Sequence, residues 1–194
     1  MIRTFIAIEI PDEIKGRIAR FQEQVAVDEK SIRWVNVRNI HITLRFIGEI
    51  PESLVEKIVI SIFEKPPQID TFAIGLKGTG AFPNLRRPRV VWVGITSGNE
   101  QLTKLVTYLE AQLTNLGIPK ENRKFKSHVT IGRIKNNQKL LNSGIFDDPD
   151  ALDAGEFQAQ KIVLMKSELK PSGAVYSVLA EQSLNNKDSK LITI

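Results

Sequence analysis

The feature that most constrains this chain is a four-residue pattern that occurs twice, each time beginning at one of its two histidines. The copies are His-Ile-Thr-Leu at 41–44 and His-Val-Thr-Ile at 128–131. Side chains two positions apart on a strand point to the same face, so each copy would present an imidazole beside a hydroxyl, with its apolar residues in the core. Two such strands facing one pocket would supply two titratable groups for acid and base catalysis.

The spacing around these motifs predicts an internal duplication. The histidines are 128 − 41 = 87 residues apart, and an aromatic residue, Phe5 or Trp92, lies 36 residues before each one in an apolar run typical of a strand. Between aromatic and histidine, apolar residues recur at helical spacing, so both halves are predicted as strand, helix, motif strand. The halves are roughly 1–50 and 88–135. A pseudo-twofold arrangement would bring the motifs face to face across a cleft.

The predicted helices have recognisable start and stop signals. The first begins near Pro11, the second is capped by Ser97 or Asn99 and ends at Gly117, and another begins at Pro51. The remaining predictions are strands at about 69–76, 161–167 and 174–180, a Gly- and Pro-rich loop over 78–88, and a surface excursion over 136–155.

Composition excludes several classes of function. The absence of cysteine excludes disulfides, thiolate metal sites and cysteine nucleophiles. The N-terminal apolar run is interrupted at Glu9, far short of the roughly 20 residues that a membrane helix needs. We therefore expect a cytoplasmic monomer without a membrane segment, with one domain over 1–182 and a C-terminal tail over 183–194. The net charge of +5 favours an anionic partner, of which nucleic acid is the first candidate.

Basic and aromatic residues near the motifs have two interpretations each. Phe5 and Trp92 could stack on bases, but aromatic residues in apolar strands more often belong to the core. A group of basic residues could line a track for an RNA backbone or could be an ordinary solvated surface. This group consists of Arg86, Arg87, Arg89, Arg123, Lys124 and Lys126.

Over about residues 2–180 the chain resembles the RNA 2',3'-cyclic phosphodiesterases, first described as RNA 2'-5' ligases, of the two-histidine phosphoesterase superfamily. The resemblance rests on both motifs and their flanks. The matching segments are RTFIAIEIP at 3–11, NIHITLRFIGE at 39–49, GAFP at 80–83, RVVWVG at 89–94, KSEL at 166–169 and GAVY at 173–176. Ser127 departs from the pattern, because many relatives have proline before the second motif.

The resemblance implies a bilobal, pseudo-twofold α+β fold in which antiparallel sheets form a central cleft. It also implies that RNA ending in a 2',3'-cyclic phosphate, for example a tRNA half, is hydrolysed to a 2'-phosphomonoester without a metal ion or other cofactor, with 2'-5' RNA ligase activity as the reverse. His41 would be the proton donor and His128 the acceptor, and reversal would exchange these roles. The hydroxyls of Thr43 and Thr130 would bind the phosphate oxygens.

Arg133 matches a basic residue that the family has five positions after the second histidine, and it would add a charge-assisted contact to the phosphate. Strict alternation along a strand puts Arg133 on the face opposite His128. A bulge or the end of the strand must therefore turn it towards the site.

Other classes of function stay open. A metal-dependent hydrolase could use both histidines with Glu9 or Glu49, although the sequence has no His-x-x-x-His or His-x-Asp cluster. A binding module could hold nucleotides or RNA ends without turnover, although binding alone would not need two titratable groups. Within the superfamily, a small cyclic nucleotide or an ADP-ribose cyclic phosphate is the nearest alternative substrate.

Overall fold

The computed structural model describes residues 1–64, 67–135, 143–146, 148, 151–171 and 173–185. The strands are β1 (Ile2–Glu9), β2 (Ile32–Trp34), β3 (His41–Ile50), β4 (Phe72–Phe82), β5 (Val90–Ile95), β6 (His128–Ile134), β7 (Asp153–Ala159), β8 (Lys161–Lys170) and β9 (Gly173–Ser183). The α-helices are α1 (Asp12–Asp28), α2 (Glu52–Ile58) and α3 (Asn99–Asn115), and α2 continues into a π-helical turn over Val59–Phe63. Single 3-10 turns are formed by Val37–Asn39 and Ser143–Phe146.

The strands form a curled antiparallel sheet whose order is mirrored about its centre. The order is β7-β4-β5-β6-β3-β1-β8-β9, and the short β2 pairs with β6. The motif strands β3 and β6 are neighbours at the centre, joined through the pair Ile42 and Val129. β1 lies next to β3, and β5 lies next to β6. Each of these two strands precedes the helix of its own half. The predicted α+β, pseudo-twofold architecture with a duplicated core is confirmed.

The helices cover the buried face of this sheet. α1 packs against β7, and α3 packs against β3. The predicted apolar stripes provide the contacts, because Ile14 and Ile18 of α1 are buried and every leucine of α3 is fully buried. These leucines are Leu102, Leu105, Leu109 and Leu113. Burial of such side chains contributes about 1.5–3 kcal/mol each, so the stripes anchor the helices that precede the motif strands.

The start of α3 differs from the prediction. Its N-cap is Gly98, with a φ of 84°, rather than Ser97 or Asn99. A Cβ at this position would lie 2.6 Å from the carbonyl oxygen of Ala73, so both the backbone angle and the space require glycine. At the other end, Gly117 has a φ of 80° just beyond the helix, as predicted.

Two strand predictions need correction. β4 continues to Phe82, through half of the segment predicted as a loop, because Gly80 there permits close packing rather than a turn: its Cβ would lie 2.2 Å from the Trp92 ring. β7 begins at Asp153, inside the predicted surface excursion, and its residues Ala154, Phe157 and Ala159 are buried. Most of the rest of that excursion, including all of residues 136–142, lies outside the described residues.

The folded part extends past residue 182, where the domain was predicted to end. β9 includes Ser183, Leu184 is buried, and Asn185 forms a bridge with Asp70. Residues 186–194 of the predicted tail lie outside the described residues. Among the helices that the structure describes, none combines the length and apolar character needed to span a membrane.

The register also corrects the pairing of Phe5 with Trp92. Trp92 lies opposite Thr130 on β6, whereas Ala7, not Phe5, lies opposite Thr43 on β3. The structural counterpart of Trp92 is therefore Ala7. The equal 36-residue spacing of the two aromatic residues does not reflect equivalent positions, although the 87-residue offset holds for the motif strands.

Candidate active site

The two motifs occupy the first residues of adjacent antiparallel strands. Ile42 and Val129, which pair at the centre of the sheet, are completely buried. Because neighbouring residues on a strand point to opposite faces, the histidine and threonine of both motifs lie together on the other face. The sheet thus brings together the four side chains that the sequence predicted to act as one group.

His41 is held by hydrogen bonds from both ring nitrogens. Nδ1 lies 2.7 Å from the carbonyl oxygen of Asn39, and Nε2 lies 2.9 Å from the Thr43 hydroxyl oxygen. A carbonyl can only accept, so Nδ1 carries the hydrogen and the Nε2 of the neutral ring accepts from the threonine. The ring stacks on Phe5 with centroids 4.8 Å apart, and Tyr176 meets it edge-on at 5.4 Å. This packing fixes the direction of Nε2.

Burial lowers the pKa of His41 from its ordinary value of 6.5 to about 4. The hydrogen bond to the Asn39 carbonyl opposes this shift, and the charges of Lys15 and His128 add to it. His41 is therefore neutral in the free protein at pH 7. An anion bound beside it would favour the protonated form.

His128 has the same backbone anchor but a more open setting. Its Nδ1 lies 2.7 Å from the carbonyl oxygen of Lys126, while Nε2 has no hydrogen-bond partner among the residues that the structure describes. Phe82 meets the ring edge-on with centroids 4.9 Å apart. Burial lowers the pKa of His128 and the charge of Arg133 lowers it further, against the effect of the Lys126 carbonyl. The free lone pair of Nε2 can accept a proton.

A β-bulge turns Arg133 to the histidine face, as its predicted role requires. Val91 pairs with Gly132 and Trp92 pairs with Thr130, so Ile131 is the extra residue. After the bulge, the side chains of β6 that point to the histidine face are those that would otherwise point to the core. Burial agrees with this change, because Ile131 and Gly132 are both buried and Arg133 is exposed. The effect of Arg133 on the pKa of His128 agrees with this placement.

The bulge in β6 is fixed by a buried side chain of α1. The amide nitrogen of Gln22 donates hydrogen bonds to the carbonyl oxygens of Ile131, at 2.9 Å, and Val35, at 3.1 Å. The Val35 backbone N–H donates to the same Ile131 oxygen at 2.9 Å. These bonds satisfy backbone groups that the extra residue removes from the regular ladder.

β3 carries a bulge at the equivalent position, with different consequences. Ile6 pairs with Arg45 and Ala7 with Thr43, so Leu44 is the extra residue. Arg45 turns inwards and forms an ion pair with Glu110 of α3, with 2.6 Å between nitrogen and oxygen. The next residue, Phe46, lies 87 positions before Arg133 and is the exposed counterpart of that arginine.

A cavity of about 420 Å³ opens beside His41. Its lining includes the cationic side chains of Lys15 and Arg38 and, from β9, Val175 and Tyr176. Thr43 and the residues of the second motif do not line it. The cavity therefore extends the site on the His41 side, away from His128.

The aromatic and basic residues near the motifs were each given two interpretations from the sequence, and the structure places them as follows. Phe5 is 3% exposed and supports His41 as part of the core, and Trp92 packs against Phe82 with centroids 5.4 Å apart. Of the proposed basic track, Lys126 lies beside the site, with its ammonium 5.7 Å from the centre of the Phe82 ring. The other members are exposed or partly exposed residues for which no contact with the motifs is seen.

The carboxylates considered as metal ligands lie at opposite ends of β3. Glu9 is opposite His41, whereas Glu49 is opposite Arg3 at the far end of the strand. In the described part of the chain, no three His, Asp or Glu side chains cluster closely enough to hold a metal ion. The geometry does not bring Glu9, Glu49 and both histidines together.

The sequence did not assign roles to Tyr176, Phe82, Lys15 or Arg38. Tyr176 and Phe82 lie in segments that carry the family resemblance, which was the available signal, but their contact with the histidines depends on pairing between distant strands. Lys15 and Arg38 lack even that signal, because neither lies in a segment that carries the resemblance.

Comparison with known proteins agrees with this architecture. The family described as LigT-like phosphoesterase matches the chain twice, over residues 8–92 and 93–176. The chain belongs to the LigT-like phosphoesterase family. The two consecutive matches place one His-Thr motif in each copy, which confirms that the fold is duplicated.

Relatives within the family match nearly the whole chain. An RNA 2',3'-cyclic phosphodiesterase of Methanocaldococcus jannaschii is 40% identical over 93% of this chain and 99% of its own length. Another from Aeropyrum pernix is 35% identical over 86% of this chain and 94% of its own. A crystal structure from Thermus thermophilus has a TM-score of 0.79 at 28% identity, covering 95% of this chain and 99% of its own.

Proposed function

We propose that this chain is an RNA 2',3'-cyclic phosphodiesterase that forms a 2'-phosphomonoester by acid and base catalysis between His41 and His128, without a metal ion. The observation that carries the proposal is the mirrored anchoring of the two imidazoles. In both, Nδ1 donates to a backbone carbonyl at 2.7 Å, so Nε2 is the nitrogen available for proton transfer. The names of the relatives in M. jannaschii and A. pernix support the substrate class.

In the hydrolytic direction, His128 is the base and His41 the acid. The Nε2 of His128 takes a proton from water as the water oxygen bonds to phosphorus. The bond from phosphorus to the 3' oxygen breaks, and His41 Nε2 gives its proton to that oxygen. The free Nε2 lone pair of His128 supports its assignment as the base.

His41 must acquire a proton before it can act as the acid. Burial lowers its pKa to about 4, and a phosphate anion next to the ring would raise it. A protonated Nε2 can no longer accept the Thr43 hydroxyl, which is then free to donate to a phosphate oxygen. Substrate binding would thus charge the acid and release the threonine in one step.

Thr43, Thr130 and Arg133 hold the phosphate in this proposal. Two hydroxyls and a guanidinium facing the same point can stabilise the negative charge that grows on the non-bridging oxygens. The bulge at Ile131 supports this use of Arg133, because without it the side chain would leave the site.

The same geometry permits 2'-5' ligation when a 5'-hydroxyl of a second RNA takes the place of water. We propose RNA ends such as those of tRNA halves as substrates. A monomer would suffice for either reaction, because one chain contributes both motifs. We propose the cytoplasm as its location, because a cysteine-free composition suits a reducing compartment.

The test is hydrolysis of a short RNA with a 2',3'-cyclic phosphate end, in EDTA, by the wild type, His41→Ala and His128→Ala. We expect a 2'-phosphate product from the wild type and a loss of roughly 10²-fold or more in each variant, the usual contribution of a general acid or base. Turnover abolished by EDTA would favour a metal-dependent hydrolase. Tight binding without turnover would favour a binding module.

A further inference from the structure

The cavity beside His41 has a composition that the hydrolytic reaction alone does not explain. Lys15 and Arg38 both line it, yet neither belongs to the groups that hold the reacting phosphate. The Lys15 side chain is only 14% exposed, and it forms a long ion pair of 4.0 Å with the fully exposed Asp12. A lysine that is this buried and has so weak a counter-ion is uncommon in proteins, and an anion bound beside it would compensate for its burial.

Arg38 is the second cation in the cavity lining. It lies in the 3-10 turn that leads into β3, and no hydrogen bond or ion pair of its guanidinium is seen within the described ranges. The carboxylate of Glu9 also lines the cavity, and it is paired at 3.4 Å with Lys161, which forms a closer ion pair of 2.6 Å with Glu181. The lining therefore carries two cations, Lys15 and Arg38, and the single carboxylate of Glu9, which leaves an excess of positive charge that suits an anionic group.

Part of the cavity lining is apolar. It consists of Ala174, Val175 and Val178 of β9 with Met165 of β8, and 39% of Val175 and 47% of Val178 is exposed. A volume of about 420 Å³ lined by both apolar and cationic side chains fits a single nucleotide unit, whose base and sugar need apolar contacts and whose phosphate needs cations.

The direction of the reaction indicates which phosphate this is. In an in-line displacement the attacking and leaving oxygens lie on opposite sides of phosphorus. If water enters beside His128, the 3' oxygen leaves beside His41, and the ribose that carries it must also be on that side. The RNA continues from this ribose through its 5' oxygen, so the next phosphate along the chain enters the region of the cavity.

We propose that Lys15 and Arg38 bind the 5'-phosphate of the terminal nucleotide and thereby make the enzyme select RNA ends over free nucleoside cyclic phosphates. The proposal rests on the function proposed above. It assigns to these residues a role in specificity that is separate from the bond-breaking step. The effect of Lys15 on the pKa of His41 shows that the two side chains are within electrostatic range, as a shared substrate requires.

The experiment compares three substrates: a nucleoside 2',3'-cyclic phosphate with a 5'-hydroxyl, the same compound with a 5'-phosphate, and a dinucleotide ending in a cyclic phosphate. The variants are Lys15→Met and Arg38→Gln, with Lys57→Gln and Arg20→Gln as controls that remove an exposed charge elsewhere. Each site variant should lower kcat/KM about tenfold for the two substrates that carry a 5'-phosphate group, and less than twofold for the first substrate.

Lys15→Met also changes the charge near His41. Any effect of that charge on the bond-breaking step should lower kcat/KM equally for all three substrates and should therefore cancel when their kcat/KM values are divided. A wild type with no preference for the 5'-phosphate, equal losses on every substrate, or control variants as defective as the site variants would overturn the proposal. A preference for the dinucleotide over the 5'-phosphorylated mononucleoside would assign the contact to the chain rather than to the phosphate. If the wild type hydrolyses none of the three, the proposed function itself fails.

Discussion

The two halves of the site share a backbone plan but differ in the chemistry around the histidine. His41 is stacked on Phe5, bonded to Thr43 and flanked by a cavity, whereas the Nε2 of His128 is free of bonds within the described chain. Glu9 lies opposite His41, and Gly94 occupies the same place opposite His128. Duplication thus supplied two equivalent imidazoles, and the surroundings made them inequivalent, which a reaction needing one acid and one base requires.

The bulges show the same divergence. Each motif strand has one extra residue just after the threonine, and each bulge turns the residue two positions later towards the site. That residue is Arg133 in one half and Phe46 in the other, where Arg3 lies 5.0 Å from the ring centre. A phosphate needs only one additional cation, so the second copy of the position is free to vary.

The largest effect that would sharpen this comparison comes from replacing Arg133 and Phe46, one at a time, with glutamine. Arg133→Gln should lower kcat/KM on cyclic-phosphate RNA by roughly 10- to 100-fold, because a charge-assisted contact to the transferring phosphate is lost. Phe46→Gln, the matched control in the other half, should change it by less than about twofold. Equal losses in the two variants, measured in steady-state assays, would mean that the halves do not differ in the assumed way.

The second effect is the pH dependence of kcat/KM. Both histidine pKa values are lowered, that of His41 to about 4, so the singly protonated enzyme is most abundant at a pH below 6.5. We expect a bell-shaped profile with its optimum in that acidic range and a fall of about tenfold per pH unit on the alkaline side. An optimum at or above pH 7 would show that the two imidazoles are less buried in solution than in this structure.

The smallest effect is on stability. The pKa of His41 is about 4 when folded and 6.5 when unfolded, so the unfolded chain binds the extra proton between these values and the folded state loses stability as the pH falls. The loss attributable to His41 is about 3 kcal/mol. Chemical denaturation at pH 7 and pH 4 should show a weaker pH dependence for His41→Asn than for the wild type. His128→Asn should have a smaller effect, and the reverse order would contradict the difference in burial.

Much of the site could be predicted from the sequence because the motifs are local. The spacing of His41 and Thr43 is enough to put both on one face of a strand, and the offset to the second copy is enough to suggest that the copies meet. Counting residues along the second motif strand also shows that either a bulge or the end of the strand must turn Arg133 towards the site, and the structure has the bulge. The helices were predictable for the same reason, since their apolar stripes are periodic.

What could not be predicted depends on contacts between distant segments. The pairing of Tyr176 with His41 requires β9 to add to the sheet beyond β8, and the cavity requires α1, the turn before β3 and β9 to converge. The glycines of β4 predict a turn when taken alone, whereas in the structure Gly80 accommodates the Trp92 ring and the strand continues. Phe5 and Trp92 were matched by spacing, and only the register of the sheet shows that they are not equivalent.

The most direct test of opposite roles for the two histidines is a substrate whose 3' bridging oxygen is replaced by sulfur. A thiolate leaves without prior protonation because a thiol pKa is about 8.5, far below that of an alcohol. We expect His41→Ala to hydrolyse this substrate at a rate within about tenfold of the wild type, while His128→Ala remains impaired by 10²-fold or more. Rescue of His128→Ala instead, or of neither variant, would contradict the assignment of His41 as the acid and His128 as the base.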